Sequence, residues 1–331
     1  VIRVAGPRAA AAAALLTGIC CRAAGAAEPI ATFSIVGFDS AAGELGVAVQ
    51  SKFFAVGSVV PWARAGVGAV ATQAFGNTTF GPRGLDLLAA GHGPAETLEL
   101  LLADDEGRER RQVGIVDARG RTASHTGREC QPWAGHEAGA SFTAQGNILA
   151  GEQVVAEMAR AYRDTEGMLG EKLLRALEAG QAAGGDSRGM QSAAILVVKE
   201  KGGYGGFNDR YCDLRVDDHV EPIRELRRIF DLWKVQALIL EGYRRVEEGA
   251  FDAAIRIGEE AVVLDASGES HYHLGCYLSR AGRKADALAS LAEAVRRDAS
   301  LGPRAATDPD FEPLRGDAEF GRLVEKGGTR P

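Results

Sequence analysis

Between residues 32 and 51, apolar and polar positions alternate through TFSIVGFD and again through GELGVAVQS, with SAAG and its Gly43 between them. A period of two interrupted by a turn predicts a β-hairpin. GVGAVATQ, Gly66 to Gln73, predicts a third strand, and RGLDLLAAGHGPAETLELLLADD predicts two helices broken at Gly91 to Pro94. Alternation returns in RRQVGIVDARGRTASHTG, a second hairpin turning at Ala118 to Gly120. SFTAQGNILAG leads from a strand into a helix near Gly151, whose Val154, Met158 and Tyr162 recur at helical spacing. GEKLLRALEAGQAA is a further helix, GGDSRGMQ a loop, SAAILVVKE an apolar strand, and YCDLRVDD closes the segment. Strands, then helices, then strands, joined mainly by hairpins, predict an α+β architecture of antiparallel sheets covered by helices.

The pattern changes after DDHVEPIRELRRIFDLW: from Trp233 to Ser300 only helix formers with alanine at packed positions remain. EEGAFDAAIRIGEEAVVLDAS is echoed by SRAGRKADALASLAEAVRRDAS, and DAS recurs at Asp265 and Asp298, an offset of 33 residues. That period is similar to the 34-residue tetratricopeptide repeat. Two such units are short of a self-supporting array, so they are expected to lean on the preceding domain or on DPDFEPLRGDAEFGRLVE. The expected organisation is a leader over 1–27, a short segment over 28–31, an α+β domain over 32–232 and a helical region over 233–331.

Composition narrows the function. A chain of 331 residues that is 46% hydrophobic can build a large core, and its net charge of −7 argues against nucleic acid and anionic membrane as partners. Arg3 and Arg8, the apolar Ala9 to Cys21 and the small residues Ala23 to Ala27 fit a signal peptide, which predicts export to the periplasm or the extracellular space. The apolar run of about 13 residues is short of the roughly 20 needed to span a bilayer, so no membrane anchor is expected after leader cleavage. Cys130, Cys212 and Cys276 then remain; a Cys130 to Cys212 bridge competes with buried free thiols, and the free thiols are favoured.

No metal or cofactor is expected. The six histidines form no HExxH pair, and VDDH at Val216 to His219 reads as a capping turn before a helix. There is no GxSxG elbow and no phosphate-binding glycine loop, GVGAVATQAFG lacking the helix such a loop needs. What remains is Thr32 at the head of the first strand. A hydroxyl needs a base to become a nucleophile, and an N-terminal amine with a pKa near 8 can serve if Thr32 heads the mature chain.

ATFSIVGFDSAAGELGVAVQSKFFAVGSVVPWARAGVGAVATQ strongly resembles the start of the DUF1028 family, a group of uncharacterised proteins placed in the N-terminal nucleophile (Ntn) hydrolase superfamily. The likeness continues through WAGH (Trp133 to His136), AQGNILAG (Ala144 to Gly151), AGGDSRGMQSAAILVV (Ala183 to Val198) and DLRVDDH (Asp213 to His219), covering about residues 32 to 233. It implies a four-layer αββα sandwich of two antiparallel sheets between helices. Proteasome β-subunits look similar in outline, and by that resemblance Thr32 matches the nucleophile and Asp186 the supporting aspartate. Arg64 falls roughly where the superfamily often has a lysine; arginine can supply charge but cannot exchange protons, and Lys52 is the competing residue. Gly76 and Asn77, and Gly146 and Asn147, are the oxyanion candidates, Asn147 having an equal reading as a helix-entry residue. Gln73 and His136 are candidates to line the pocket.

Signal peptidase prefers small residues at −1 and −3, which favours cleavage after Ala26 or Ala27 and leaves Glu28 to Ala31 ahead of Thr32. A free Thr32 amine would then require removal of a short propeptide. The resulting expectation is an exported Ntn-type amidohydrolase acting on small amides or peptides, N-acyl amino acids or peptidoglycan-derived amides. The alternative is a non-catalytic Ntn-like platform whose residues 234–331 engage a protein partner or mediate self-association.

Overall fold

The computed structural model describes residues 32–326; the expected leader and propeptide lie outside the described residues. The first part holds strands β1 (Thr32–Asp39), β2 (Glu44–Ser51), β3 (Pro61–Arg64) and β4 (Gly68–Ala74), then helices α1 (Phe80–Ala89) and α2 (Pro94–Ala103). Strands β5 (Arg111–Asp117), β6 (Thr122–Thr126), β7 (Gly135–Gly139) and β8 (Phe142–Asn147) follow. Helices α3 (Gln153–Asp164) and α4 (Leu169–Ala182) precede β9 (Ser192–Val198) and β10 (Arg210–Val216). The rest is helical: α5 (Pro222–Glu247), α6 (Phe251–Leu264), α7 (Gly268–Arg280), α8 (Lys284–Arg297), α9 (Leu301–Thr307) and α10 (Ala318–Lys326).

All strand pairing is antiparallel. One sheet has six strands in the order β10-β9-β2-β1-β8-β7, the other four in the order β3-β4-β5-β6. Because successive strand side chains point to opposite faces, the alternation read in the sequence sorts the core into separate sets. Phe33, Ile35, Ala48 and Ile195 pack under Val154, Met158, Tyr162, Leu173 and Leu177 of α3 and α4, and Phe230 of α5. On the other face of the same strands, Val36, Leu45, Val47, Val49 and Leu196 meet Val60, Ala69, Ala71 and Val116. Val70, Val113 and Ile115 of the four-stranded sheet turn away to pack on Phe80, Leu85 and Leu101 of α1 and α2. Each large buried aliphatic or aromatic side chain contributes roughly 1.5–3 kcal/mol.

Helix α5, 26 residues long, carries Ile223, Leu226 and Phe230 into the sheet-side cluster and Val246 into a second one with Tyr272, Leu291 and Phe311. The boundary expected between 232 and 233 therefore falls within a continuous helix. Two short strands were not expected: β3, which opens on a proline, and β7, GHEAG, which has no apolar alternation. Both are edge strands, buried too little to need the pattern. The strand expected from Gly66 starts at Gly68, because Gly66 takes a left-handed φ of +69° in the preceding turn.

Cys130, Cys212 and Cys276, the three cysteines among the described residues, are free. Cys212 lies on the edge strand β10 and faces the helices, while Cys130 approaches the Arg111 carbonyl at 3.4 Å. Burial pushes the Cys130 thiol up to about 11. Among the described residues, no helix is long and apolar enough to cross a membrane.

Candidate functional site

The register of the six-stranded sheet places Ser192, Ser51, Thr32 and Asn147 side by side across β9, β2, β1 and β8. All four are buried. Two residues further in, the row is Ala194, Val49, Ser34, Gln145 and His136; the next is Leu196, Val47, Val36 and Thr143. The inter-sheet face is thus polar at the Thr32 end and toward β8, and aliphatic elsewhere. Most buried polar groups are hydrogen-bonded, and here the facing sheet supplies two glutamines.

Gln73 on β4 accepts from Ser34 Oγ at 2.6 Å through Oε1, and its Nε2 reaches Gln112 Oε1 at 2.8 Å and the Thr32 carbonyl at 3.3 Å. Gln112 on β5 donates to the Gly146 carbonyl at 2.7 Å and accepts from Asn147 Nδ2 at 3.0 Å. Gln145 Nε2 donates to Ser34 Oγ at 2.7 Å. Thr32 Oγ1 donates to Ser51 Oγ at 3.2 Å. Such a network holds the head of β1 from three sides, and each member left unpaired would cost about 1–3 kcal/mol.

The loop after α4 closes this end of the sheet. Asp186, its side chain fully buried, accepts from the Lys52 backbone N–H at 3.0 Å and from Arg188 through the backbone N–H (2.9 Å), Nε (3.2 Å) and Nη2 (3.0 Å). Asp186 also forms a bridge with Leu149, just past β8. The carboxylate therefore ties the end of β2 to its own loop beside the Ser51–Thr32 pair, and the backbone bridge adds the β8 exit.

The residues singled out from sequence divide by position. Thr32, Gln73, Gly146 and Asn147 come together, and Asp186 braces the adjoining loop. Asn147 is the last residue of β8 and α3 starts only at Gln153, so the helix-entry reading of Asn147 is corrected. His136 lies two strands from β1, its Nδ1 2.9 Å from Thr126 Oγ1. Partial burial and then the nearby His125 hold the His136 imidazole below its ordinary pKa. Lys52 is exposed just past Ser51, its Nζ 3.2 Å from the Met190 carbonyl.

Arg64 does not join the group. It pairs in register with Gly68, whereas Gln73 is the β4 residue that reaches Thr32, a strand separation of roughly 17 Å. Its guanidinium bonds Asp86 at 2.8 Å on the outside of the four-stranded sheet. Asn77 is committed elsewhere too: Oδ1 accepts from the Thr79 N–H at 3.1 Å at the start of α1, and Nδ2 reaches Asp105 at 3.4 Å. Asp105 is itself bound to Arg111, whose hydrogen bond lowers its pKa to about 2. Gly76 sits in the same α1 approach.

Sequence reading missed Ser51, Ser192, Ser34, Gln112 and Gln145. The signal available for them was a polar residue at the inward position of an otherwise apolar alternation. It also missed Cys276, Asp308 and Asp310, whose ligating atoms lie within 4.8 Å of one another. In that cluster Tyr272 donates to Asp308 at 2.6 Å and Arg280 to Asp310 at 2.8 Å, so both carboxylates have protein partners.

Comparison with known proteins places the chain. No curated protein matches it. The crystal structure of protein SPO2555 from Silicibacter pomeroyi, itself assigned to DUF1028, is similar at 31% identity and a TM-score of 0.56 over 60% of this chain and 84% of that one. The family described as "Family of unknown function (DUF1028)" matches residues 32–226, which hold every residue of the polar row and the loop that closes it. The chain belongs to the DUF1028 family.

Proposed function

We propose that this protein is an exported Ntn-type amidohydrolase in which Thr32 Oγ attacks the carbonyl of a small amide or peptide-like substrate. The observation that carries the reading is the position of Thr32: first residue of a central strand, its hydroxyl 3.2 Å from Ser51 Oγ within a buried polar row between two antiparallel sheets. The packing of helices on the outer face of each sheet, with aliphatic side chains between the sheets, supports the Ntn four-layer αββα sandwich as its fold.

In this mechanism the Thr32 amine, freed by removal of the residues before it, takes the hydroxyl proton as Oγ bonds to the substrate carbonyl carbon. The same proton passes to the departing amine, and water then releases the acyl group from Oγ. Ser51 orients the hydroxyl, and Asn147 Nδ2 is the side-chain donor closest in register for the developing oxyanion. Arg64 has no part in this scheme. Lys52, beside Ser51, is an exposed cation near the row. The test is hydrolysis of a panel of N-acyl amino acids and peptidoglycan-derived amides by the mature protein and by Thr32→Ala. Loss of turnover by at least about a thousandfold, with the fold intact by circular dichroism, is expected; undiminished turnover refutes the assignment.

The helical region favours a second role alongside this one. Helices α6 and α8 are each 14 residues long and start 33 residues apart, and each follows a left-handed glycine, Gly249 or Gly282. That repetition supports the tetratricopeptide-like reading and a protein-binding or self-association role. Deleting residues 234–331 would break helix α5, so the test is the oligomeric state and partner capture of the full chain with Leu240→Glu on its exposed face.

A further inference from the structure

We propose that residues Lys52 to Ala55 form a rigid recognition loop that selects substrates carrying a carboxylate next to an apolar group, an inference that rests on the amidohydrolase reading of Thr32. The chain leaves β2 at Ser51, the direct neighbour of Thr32, and returns at Val56, whose N–H donates to Ser192 Oγ at 3.0 Å. Ser192 is the next member of the polar row, so both ends of the loop are anchored on the row that holds Thr32.

The loop backbone is pinned at Lys52, Phe53 and Ala55. The Lys52 N–H donates to Asp186 Oδ2 at 3.0 Å, the Phe53 carbonyl accepts from Ser192 Oγ at 2.6 Å, and the Ala55 N–H donates to the Asp217 carbonyl at 2.9 Å. The Ala55 carbonyl accepts from Ser58 Oγ at 2.8 Å. Ala55 is held at φ +52°, a left-handed conformation that a non-glycine residue keeps only where its surroundings fix it. Four partners, two of them buried side chains of the site, thus hold three of the four loop residues.

What this frame presents outward is one ammonium and one ring. Phe54 is 61% exposed, an apolar surface that folding has left in water on a loop with no freedom to tuck it away. Lys52 has no carboxylate within ion-pair distance among the described residues; its Nζ donates to the Met190 carbonyl alone. A substrate carboxylate can replace that neutral contact with a charge-assisted one, while an apolar side chain or acyl group covers Phe54. Because the loop is already ordered, binding does not have to immobilise it. An N-acylated apolar amino acid with a free carboxylate has both groups on one small molecule.

The experiment measures binding to the full chain carrying Thr32→Ala, so that turnover cannot intervene, using N-acetyl-phenylalanine and its C-terminal carboxamide in calorimetric titrations. The carboxylate form is expected to bind at least about tenfold tighter. Lys52→Met should abolish that difference without changing the carboxamide, and Phe54→Ala should weaken both ligands equally. Equal binding of the two ligands, no binding of either, or a preference that survives Lys52→Met overturns the inference. The hydrolase reading is judged separately, by Thr32-dependent turnover: turnover without carboxylate selectivity sinks only the recognition loop, and selectivity without turnover sinks only the hydrolase.

Discussion

The two ends of the six-stranded sheet each bury a carboxylate, and the fold treats them differently. At the Thr32 end, Asp186 accepts four hydrogen bonds at 2.9–3.2 Å, from Lys52 and Arg188. At the other end, Glu44 has Lys199 Nζ at 3.4 Å, while its Oε2 is buried with no hydrogen-bond partner among the described residues. Burial raises the Glu44 pKa, with Lys199 pulling it back. A well-satisfied carboxylate is a clamp that fixes one chain segment to another; an under-satisfied one is a cost the surrounding core tolerates. The same contrast runs along the inter-sheet face, polar and cross-bonded around Thr32, aliphatic around Val36, Val47 and Leu196. Polar residues are built in where position matters, and apolar ones where only burial does.

Breaking the clamp should have the largest effect. Asp186→Ala leaves the Lys52 N–H and the Arg188 donors without their acceptor and is expected to cost about 3–5 kcal/mol in urea unfolding. Amide exchange should accelerate first in residues 183–191 and 52–55. If exchange rises uniformly instead, Asp186 is an ordinary stability residue and not a clamp on this end. Gln73→Leu is the intermediate case: it removes the acceptor of the Ser34 hydroxyl proton and the amide that donates to Gln112 and the Thr32 carbonyl, with an expected loss of about 1–3 kcal/mol by the same measurement. A Gln73→Leu protein as stable as wild type would mean that the polar layer is not a connected network.

The smallest effect has the opposite sign. Glu44→Gln removes a buried charge with an unpartnered oxygen and should stabilise the protein by up to about 1 kcal/mol at pH 8. The pH dependence follows from the raised folded pKa: the favourable contribution of Glu44 is present below its unfolded pKa and lost as pH rises through the folded one. The advantage of the variant should therefore grow from pH 4 to pH 8. A gap between the two proteins that is constant with pH would show that Glu44 titrates alike in the folded and unfolded chains.

The sequence made the alternations of β1, β2 and β5 legible, because these strands are buried and send alternate residues into different packing layers. It did not reveal β3 and β7, where a short edge strand carries a proline or glycines and no apolar signal. At the site, Thr32 was visible as the head of a strand and Asn147 as a polar residue after an alternation. Ser51 and Ser192 were not, since a serine ending a strand is unremarkable until register sets it beside Thr32; cross-strand register is a long-range property that spacing does not encode. Arg64 failed for a related reason. The resemblance put it roughly where the superfamily often has a lysine, but the turn at Gly66 reverses the chain and leaves Arg64 on an edge strand facing Asp86.

The central claim is that Thr32 acts as nucleophile and, through its own amine, as base. The most direct test is intact mass and N-terminal sequencing of the mature, amidase-active protein. The account predicts a chain that begins at Thr32. An active, homogeneous protein that retains residues ahead of Thr32 would contradict it, because that nitrogen would be held in a peptide bond and could not take the proton.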